Sequence, residues 1–152
     1  MQEQLIESWH IHNRINLFLL DSVAEAHLSD TASSKGRTVG EQFAHIHNVR
    51  LMWLKAAAPG LEKDQTKIDK ESITKKILTL SLKASGEAVA QLLKQGFVQN
   101  KVKGFKPHPS AFFGYLISHE SHHRGQIVLS LKQASHPVDK KVLFGLWEWG
   151  SR

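Results

Sequence analysis

The chain has 152 residues, of which 41% are hydrophobic and 22% are charged, which is the balance of one soluble domain able to bury a core. It contains no cysteine, so disulfides, thiolate metal sites and a cysteine nucleophile are excluded, and His, Asp and Glu are left as candidate metal ligands. No apolar run reaches the length of a membrane span, and the polar N-terminus lacks the apolar core of a signal peptide. We therefore expect a cytoplasmic protein with no membrane partner.

The net charge of +6 arises from 20 Lys and Arg against 14 Asp and Glu. A basic surface of this kind attracts anions, including nucleic acid. The basic residues are scattered, however, and form neither a dense run nor a motif with stacking aromatic residues. Nucleic-acid binding is therefore not expected.

The first part of the chain predicts two helices separated by a loop. Residues 2–27 carry apolar residues at helical spacing and contain no Gly or Pro. Residues 30–37 have the composition of a loop. Thr38 and Glu41 stand at the spacing of a capping box, and they predict the start of a second helix over 39–57.

The second part of the chain predicts two more long helices. A polar connection over 59–69 leads to a third helix over 70–95, for which Gly96 is the expected C-cap. A loop over 97–108, with some extended structure, leads to a fourth helix within 107–134, which opens with a proline.

The tail after Pro137 predicts a short fifth helix that holds Leu143, Leu146, Trp147 and Trp149. Four long helices without an alternating strand pattern predict an all-α four-helix bundle with a short C-terminal helix. We expect one domain over residues 1–152.

The fourth helix carries the most informative polar residues. His119 and His123 lie four residues apart within the apolar stripe marked by Leu116 and Ile127. Burying polar groups without partners is costly, and two imidazoles at this spacing can bind one metal ion. A third ligand must come from another helix, and the available imidazoles are His12, His45 and His47. Periodicity leaves that choice open, because His45 and His47 lie on opposite sides of the apolar centre of the second helix.

The letters HESHH at 119–123 also match the H-E-x-x-H pattern of metallopeptidases. The longer version of that pattern fails, because Gln126 and Leu129 occupy the positions of its glycine and third histidine, although Glu148 is a conceivable downstream ligand. The chain is short and lacks strands on which a peptide substrate could align. A peptidase is therefore the least favoured alternative.

Other polar residues lie close to the apolar stripes. His12 and Asn16 on the first helix are interpreted as a half-buried pair that satisfies its own hydrogen bonds, with a contact to ligands or substrate as the alternative. Arg50 lies in the apolar stripe of the second helix, and this irregularity is mild evidence for a site.

The chain resembles the DinB-like (YfiT-like) superfamily of small four-helix metalloproteins. The resemblance depends on TVGEQFAHIHNVRLMWL in the second helix, HESHHRGQI in the fourth and the LWEWG ending. It covers nearly the whole chain in order and spacing. It implies that a divalent metal is bound by one histidine of the second helix and two of the later helix, here His45, His119 and His123, and that the protein is a homodimer. Three imidazoles suit zinc, nickel or iron.

The resemblance also implies an activity. Family members with a known reaction are mostly metal-dependent transferases that join a low-molecular-weight thiol to an electrophile, or related hydrolases. Glu120 and His122 flank the ligand stripe and are candidates for proton transfer or for orienting the ligands, with solvated helix surface as the alternative. Arg124 is expected in a surface ion pair, or else in contact with an anionic group of the small-molecule substrate. The alternative class is a non-catalytic metal-binding bundle used in protein interaction or in the response to damage or stress.

Overall fold

The computed structural model describes residues 1–152 and is dominated by four long helices. There is no strand, and the predicted all-α bundle with a short C-terminal helix is confirmed. The helices are α1 (Gln2–Ser22), α2 (Val39–Ala57), α3 (Lys75–Gln99), α4 (Pro109–Gln133) and the short α5 (Lys140–Gly145). Short 3-10 helices lie in the connections at Glu25–Ser29 and Lys70–Ser72 and near the C-terminus at Trp149–Ser151. The predicted content of α5 is wrong in part, because the helix holds Leu143 but ends before Leu146, Trp147 and Trp149.

The predicted boundaries of α2 match the structure. Thr38 Oγ1 accepts a hydrogen bond from the backbone N–H of Glu41 at 3.1 Å, and a Glu41 carboxylate oxygen accepts one from the N–H of Thr38 at 2.8 Å. This reciprocal capping box fixes the first turn, and α2 ends at Ala57, just before a Pro-Gly pair that cannot continue a helix.

Three other predicted boundaries are wrong by several residues. α1 ends at Ser22 rather than at 27, and a 3-10 helix follows it. α3 begins later than predicted, because Thr74 is its N-cap and accepts from the N–H of Ile77. α4 opens at Pro109, two residues after the first proline of the segment, with His108 as its N-cap.

Gly96 is not the C-cap of α3. The helix continues to Gln99 and ends at Asn100, which has the left-handed conformation (φ 49°). A Cβ on Gly96 would lie 2.9 Å from the side chain of Val102, so this glycine permits close packing of the following loop rather than ending the helix.

The core consists of two apolar clusters with a polar layer between them. One cluster includes Trp9, Leu54, Leu93 and Phe112, and the other includes Leu19, Phe43, Leu82 and Ile127. On each helix, buried polar residues lie between the residues that belong to the two clusters. The buried polar residues of this layer are His12, Asn13, Asn16, Arg50, Ser85 and Glu120.

The order of the clusters along each helix gives the helix directions. α1 and α4 run from the first cluster to the second, whereas α2 and α3 run in the opposite sense. α2 and α3 are therefore parallel. The connection over residues 58–74, which links the end of α2 to the start of α3, runs back along the length of the bundle. None of the helices combines the length and hydrophobicity that crossing a membrane requires.

Candidate metal centre

The structure brings His45 of α2 together with His119 and His123 of α4. One nitrogen from each ring lies within 4.8 Å of one nitrogen of each of the others. The ring planes are inclined to each other by 56° to 70°, with centroids 4.5 to 5.3 Å apart. Inclined rings can direct their in-plane lone pairs to one point, which is the arrangement that a shared metal ion needs.

The cluster extends from the buried face of α4 to the partly exposed surface beside it. His123 is buried, whereas His45 and His119 are partly exposed. Glu120, the residue after His119, is buried more deeply than either of these histidines and is 1% exposed. Of the two α4 histidines expected to be buried, His123 is buried, whereas His119 is partly exposed, and the cluster is open to solvent on one side.

All three imidazoles are neutral at physiological pH. Burial lowers the pKa of His45 and, against the opposing effect of the Glu120 charge, that of His119, and the positive charge of Arg37 lowers both further. For His123, burial together with the neighbouring histidines lowers the pKa to about 4. A neutral imidazole keeps a lone pair on one nitrogen and can bind a metal without first losing a proton.

Gln42 selects the nitrogen of His123 that is free to bind. Its amide oxygen lies 2.6 Å from Nδ1 of His123, and a carbonyl oxygen can only accept, so Nδ1 carries the proton. The lone pair of His123 is then on Nε2. Gln42 lies one turn before His45 on α2, so the same helix supplies one ligand and orients another.

The other two histidines considered as a third ligand lie elsewhere. Nε2 of His47 is 3.0 Å from the carbonyl oxygen of Thr66, so His47 fastens the connection before α3 to α2. His12 is fully buried in the polar layer, where Nε2 contacts a carboxylate oxygen of Glu120 at 2.8 Å.

Glu120 is held by hydrogen bonds from two other helices. Arg50 Nε donates to Oε1 at 2.7 Å, and Arg50 Nη2 donates to Oε2 at 2.8 Å. His12 and the side-chain amide of Asn16 also contact Oε2, each at 2.8 Å. The alternative that Glu120 is solvated helix surface is therefore wrong, and its carboxylate faces the core rather than the metal centre.

The protonation state of Glu120 follows from these partners. Burial raises the pKa of its carboxyl group, but the charge of Arg50 and the hydrogen bonds from Arg50 and His12 outweigh burial and hold the pKa well below its usual range. Glu120 is therefore ionised, and each of its oxygens already accepts hydrogen bonds, which does not favour proton transfer.

Arg124 completes a continuous hydrogen-bonded chain. It donates to Nδ1 of His12 at 3.2 Å and to the amide oxygen of Asn16 at 2.6 Å. Burial lowers the pKa of Arg124 to about 10, so the guanidinium stays charged at neutral pH. No carboxylate lies within ion-pair distance of Arg124, so the expected surface ion pair is wrong. The hydrogen bonds of His12 and Asn16 are satisfied, as the sequence predicts, through their shared partners Glu120 and Arg124. Both residues are fully rather than half buried.

Two further side chains border the open side of the cluster. His122 is exposed, and its ring centroid lies 5.1 Å from that of His123. Tyr115 lies one turn before His119, with the two rings nearly parallel and 6.0 Å apart, and Trp53 contacts Tyr115 edge-on. The histidines therefore have an aromatic wall on one side and water access on another.

The donor set fits a divalent transition metal. Three neutral imidazoles suit zinc, nickel or iron, and no carboxylate is within the cluster to favour magnesium or calcium. The sequence did not predict that Gln42 and Tyr115 lie at the cluster, nor that Arg50 binds Glu120. The spacing of Gln42 to His45, three residues on one helix face, could have indicated the first. Nothing in the sequence pairs Arg50 with Glu120, which are 70 residues apart.

A comparison with known proteins gives one positive result. A family model described as DinB family matches residues 1–141. No curated protein matches the chain significantly, and no solved structure does.

Proposed function

Because the chain belongs to the DinB family, we propose that it is an enzyme that holds one divalent metal ion on His45, His119 and His123. We propose that the reaction joins a low-molecular-weight thiol to a small electrophile or hydrolyses a related conjugate. The observation that carries the proposal is the convergence of three neutral imidazoles beside an opening to solvent. When bound, a divalent ion would act as a Lewis acid that lowers the pKa of a thiol or a water molecule.

The chain itself supplies no nucleophilic sulfur, because it has no cysteine. The thiol must therefore arrive as a substrate through the open side of the cluster. Tyr115 and Trp53 offer an aromatic surface against which the apolar part of an electrophile can pack. His122 is exposed beside His123, and we assign it the transfer of a proton between the reacting groups and solvent.

Glu120 has a positioning role in this proposal. It follows His119 on α4 and accepts two hydrogen bonds from Arg50 of α2, the helix that carries His45. This buried pair fixes the two ligand-bearing helices relative to each other. A peptidase would instead need the Glu120 carboxylate beside the metal centre, and that carboxylate is engaged in the core.

Thiol-conjugation assays test the proposal. Metal-loaded protein is incubated with monobromobimane as the electrophile and one thiol. Glutathione, cysteine and coenzyme A are tested as the thiol in separate reactions. We expect conjugation above the uncatalysed rate with at least one thiol, lost after chelation and in His45→Ala. His10→Ala is the matched control, because His10 lies on α1, outside the cluster, and its one ion-pair partner is Glu87, at 4.0 Å.

The control variant should keep the wild-type rate. A protein that holds one metal ion per chain and yet shows no turnover with any thiol, electrophile or thioether conjugate would contradict the enzyme proposal. That result would favour the non-catalytic metal-binding bundle.

A further inference from the structure

A cavity of about 370 Å³ adjoins the metal centre on the side of α2. His45 belongs to its lining, and the cavity extends from there to the connection that precedes α3. Three cations, Arg37, Lys67 and Lys70, also line it, together with two carboxylates, Glu41 and Asp69. We call this cavity the basic pocket.

The far wall of the basic pocket is held in place by hydrogen bonds to α2. The amide of Asn48 donates to the carbonyl oxygen of Ile68 at 3.0 Å and accepts from the N–H of Ile68 at 2.9 Å. His47 contacts the carbonyl oxygen of Thr66 at 3.0 Å. The pocket is thus a fixed feature of the fold, although one of its walls is a loop.

The three cations of the pocket differ in how they are paired. Lys70 lies 3.0 Å from the Glu41 carboxylate, and Lys67 lies 3.8 Å from Asp69. Arg37 forms no ion pair and no side-chain hydrogen bond within the protein. It is therefore the one cation of the pocket that is free to bind an anion.

Arg37 is exposed and lines the same cavity as His45, so its charge stays hydrated while it lies near the three histidines. Its charge acts on His45, His119 and His123, because it lowers the pKa of each. The three neutral imidazoles contribute no negative charge, so a divalent ion held there would keep its full charge beside a guanidinium. Like charges repel, and an anionic ligand between them relieves the repulsion.

We propose that the basic pocket binds the anionic group, a carboxylate or a phosphate, of the small-molecule substrate, with Arg37 as the principal donor. The inference rests on the proposed function, because the anchored substrate would place its reacting end beside His45. The planar guanidinium can donate two parallel hydrogen bonds to either oxyanion, which fixes orientation as well as affinity.

The test measures anion binding directly and does not depend on turnover. Metal-free and metal-loaded proteins are titrated with inorganic phosphate and, separately, with succinate, while amide shifts are followed by NMR. At least one of the two anions should shift the amides of Arg37, Asn48 and Ile68 with a saturable curve. The two probes distinguish the two sources of the oxyanion.

Substitutions then identify the donor. Arg37→Gln should weaken binding by about tenfold or more, since a charge-assisted hydrogen bond is lost, and Arg37→Lys should weaken it less. Arg14→Gln makes the same chemical change on α1, where the arginine contacts only the carbonyl oxygen of Arg152, and should leave binding unchanged. All three variants should keep the metal content of the wild type.

The inference is overturned if neither anion shifts the pocket amides in either form of the protein. It is also overturned if Arg37→Gln binds as tightly as Arg14→Gln. Loss of anion binding in Arg37→Gln would support it even in a protein that holds no metal, so its failure and the failure of the metal proposal are distinguishable.

Discussion

Two groups of side chains in this protein offer three possible metal ligands each, and they differ in what those ligands already contact. The first is the candidate metal centre of His45, His119 and His123, and the second is the group of His27, Asp30 and His136 near the C-terminal end of α4. In both groups the donor atoms lie within 4.8 Å of one another. Proximity alone therefore does not separate a metal site from an ordinary cluster.

In the second group, side chains already bind each other. His136 Nδ1 lies 2.7 Å from an Asp30 carboxylate oxygen, and the rings of His27 and His136 stack at 3.7 Å with only 9° between their planes. Parallel stacked rings direct their lone pairs side by side rather than to one point. This group connects the 3-10 helix after α1 to the chain that follows α4.

In the candidate metal centre, by contrast, the donor atoms are mostly free. Its rings are inclined, no histidine in it bonds to another, and the only protein hydrogen bond to the cluster orients His123 through Gln42. Behind it lies the buried pair of Arg50 and Glu120, whereas the partners in the second group are partly exposed. Distance does not separate the two groups, whereas ring orientation and free donor atoms favour the first as the metal site we propose.

The largest expected effect is on stability and compares the ion pairs behind the two groups. Arg50→Leu leaves Glu120 buried without its cation, which should lower the free energy of unfolding by about 3–5 kcal/mol. Asp30→Asn removes a partly exposed pair and should cost about 1 kcal/mol or less. Urea denaturation followed by circular dichroism measures both.

A second variant keeps this prediction informative if Arg50→Leu does not fold. Arg50→Leu combined with Glu120→Leu replaces the pair by apolar side chains and should recover part of the lost stability. Equal losses in Arg50→Leu and Asp30→Asn would mean that the buried pair does not lock α2 to α4.

A smaller effect concerns the glutamines near the two groups. Gln42→Ala frees the ring of His123 and should weaken metal binding by about tenfold, because it removes the group that orients a ligand. Gln133→Ala is the matched control, since Gln133 accepts hydrogen bonds only from Ser33, on the side of the second group. Competition with a chromophoric chelator measures the dissociation constants. Equal affinity in the two variants would contradict the role given to Gln42.

Much of the fold could be predicted because its signals are local. The capping box of Thr38 and Glu41 fixed the start of α2, and the Pro-Gly pair fixed its end. The C-terminal end of α3 could not be predicted, because Gly96 serves packing against Val102, and that contact depends on the path of the following loop.

The candidate site likewise contains features that local spacing predicts and features that it does not. The spacing of His119 and His123 predicts their convergence on one helix, but His45 was chosen over His47 by family resemblance and not by periodicity. The burial of Glu120 depends on Arg50 from another helix, which no local pattern reveals. The signs of that layer in the sequence were Arg50 in an apolar stripe and the pair of His12 and Asn16 beside another.

The measurement that tests the central claim most directly is the metal content of three purified proteins. Wild type, His45→Ala and His27→Ala are expressed with zinc, nickel and iron supplied and are analysed by inductively coupled plasma mass spectrometry. The account predicts about one divalent ion per chain in wild type and in His27→Ala, and none in His45→Ala. A wild type without metal, or metal lost from His27→Ala but kept by His45→Ala, would contradict it.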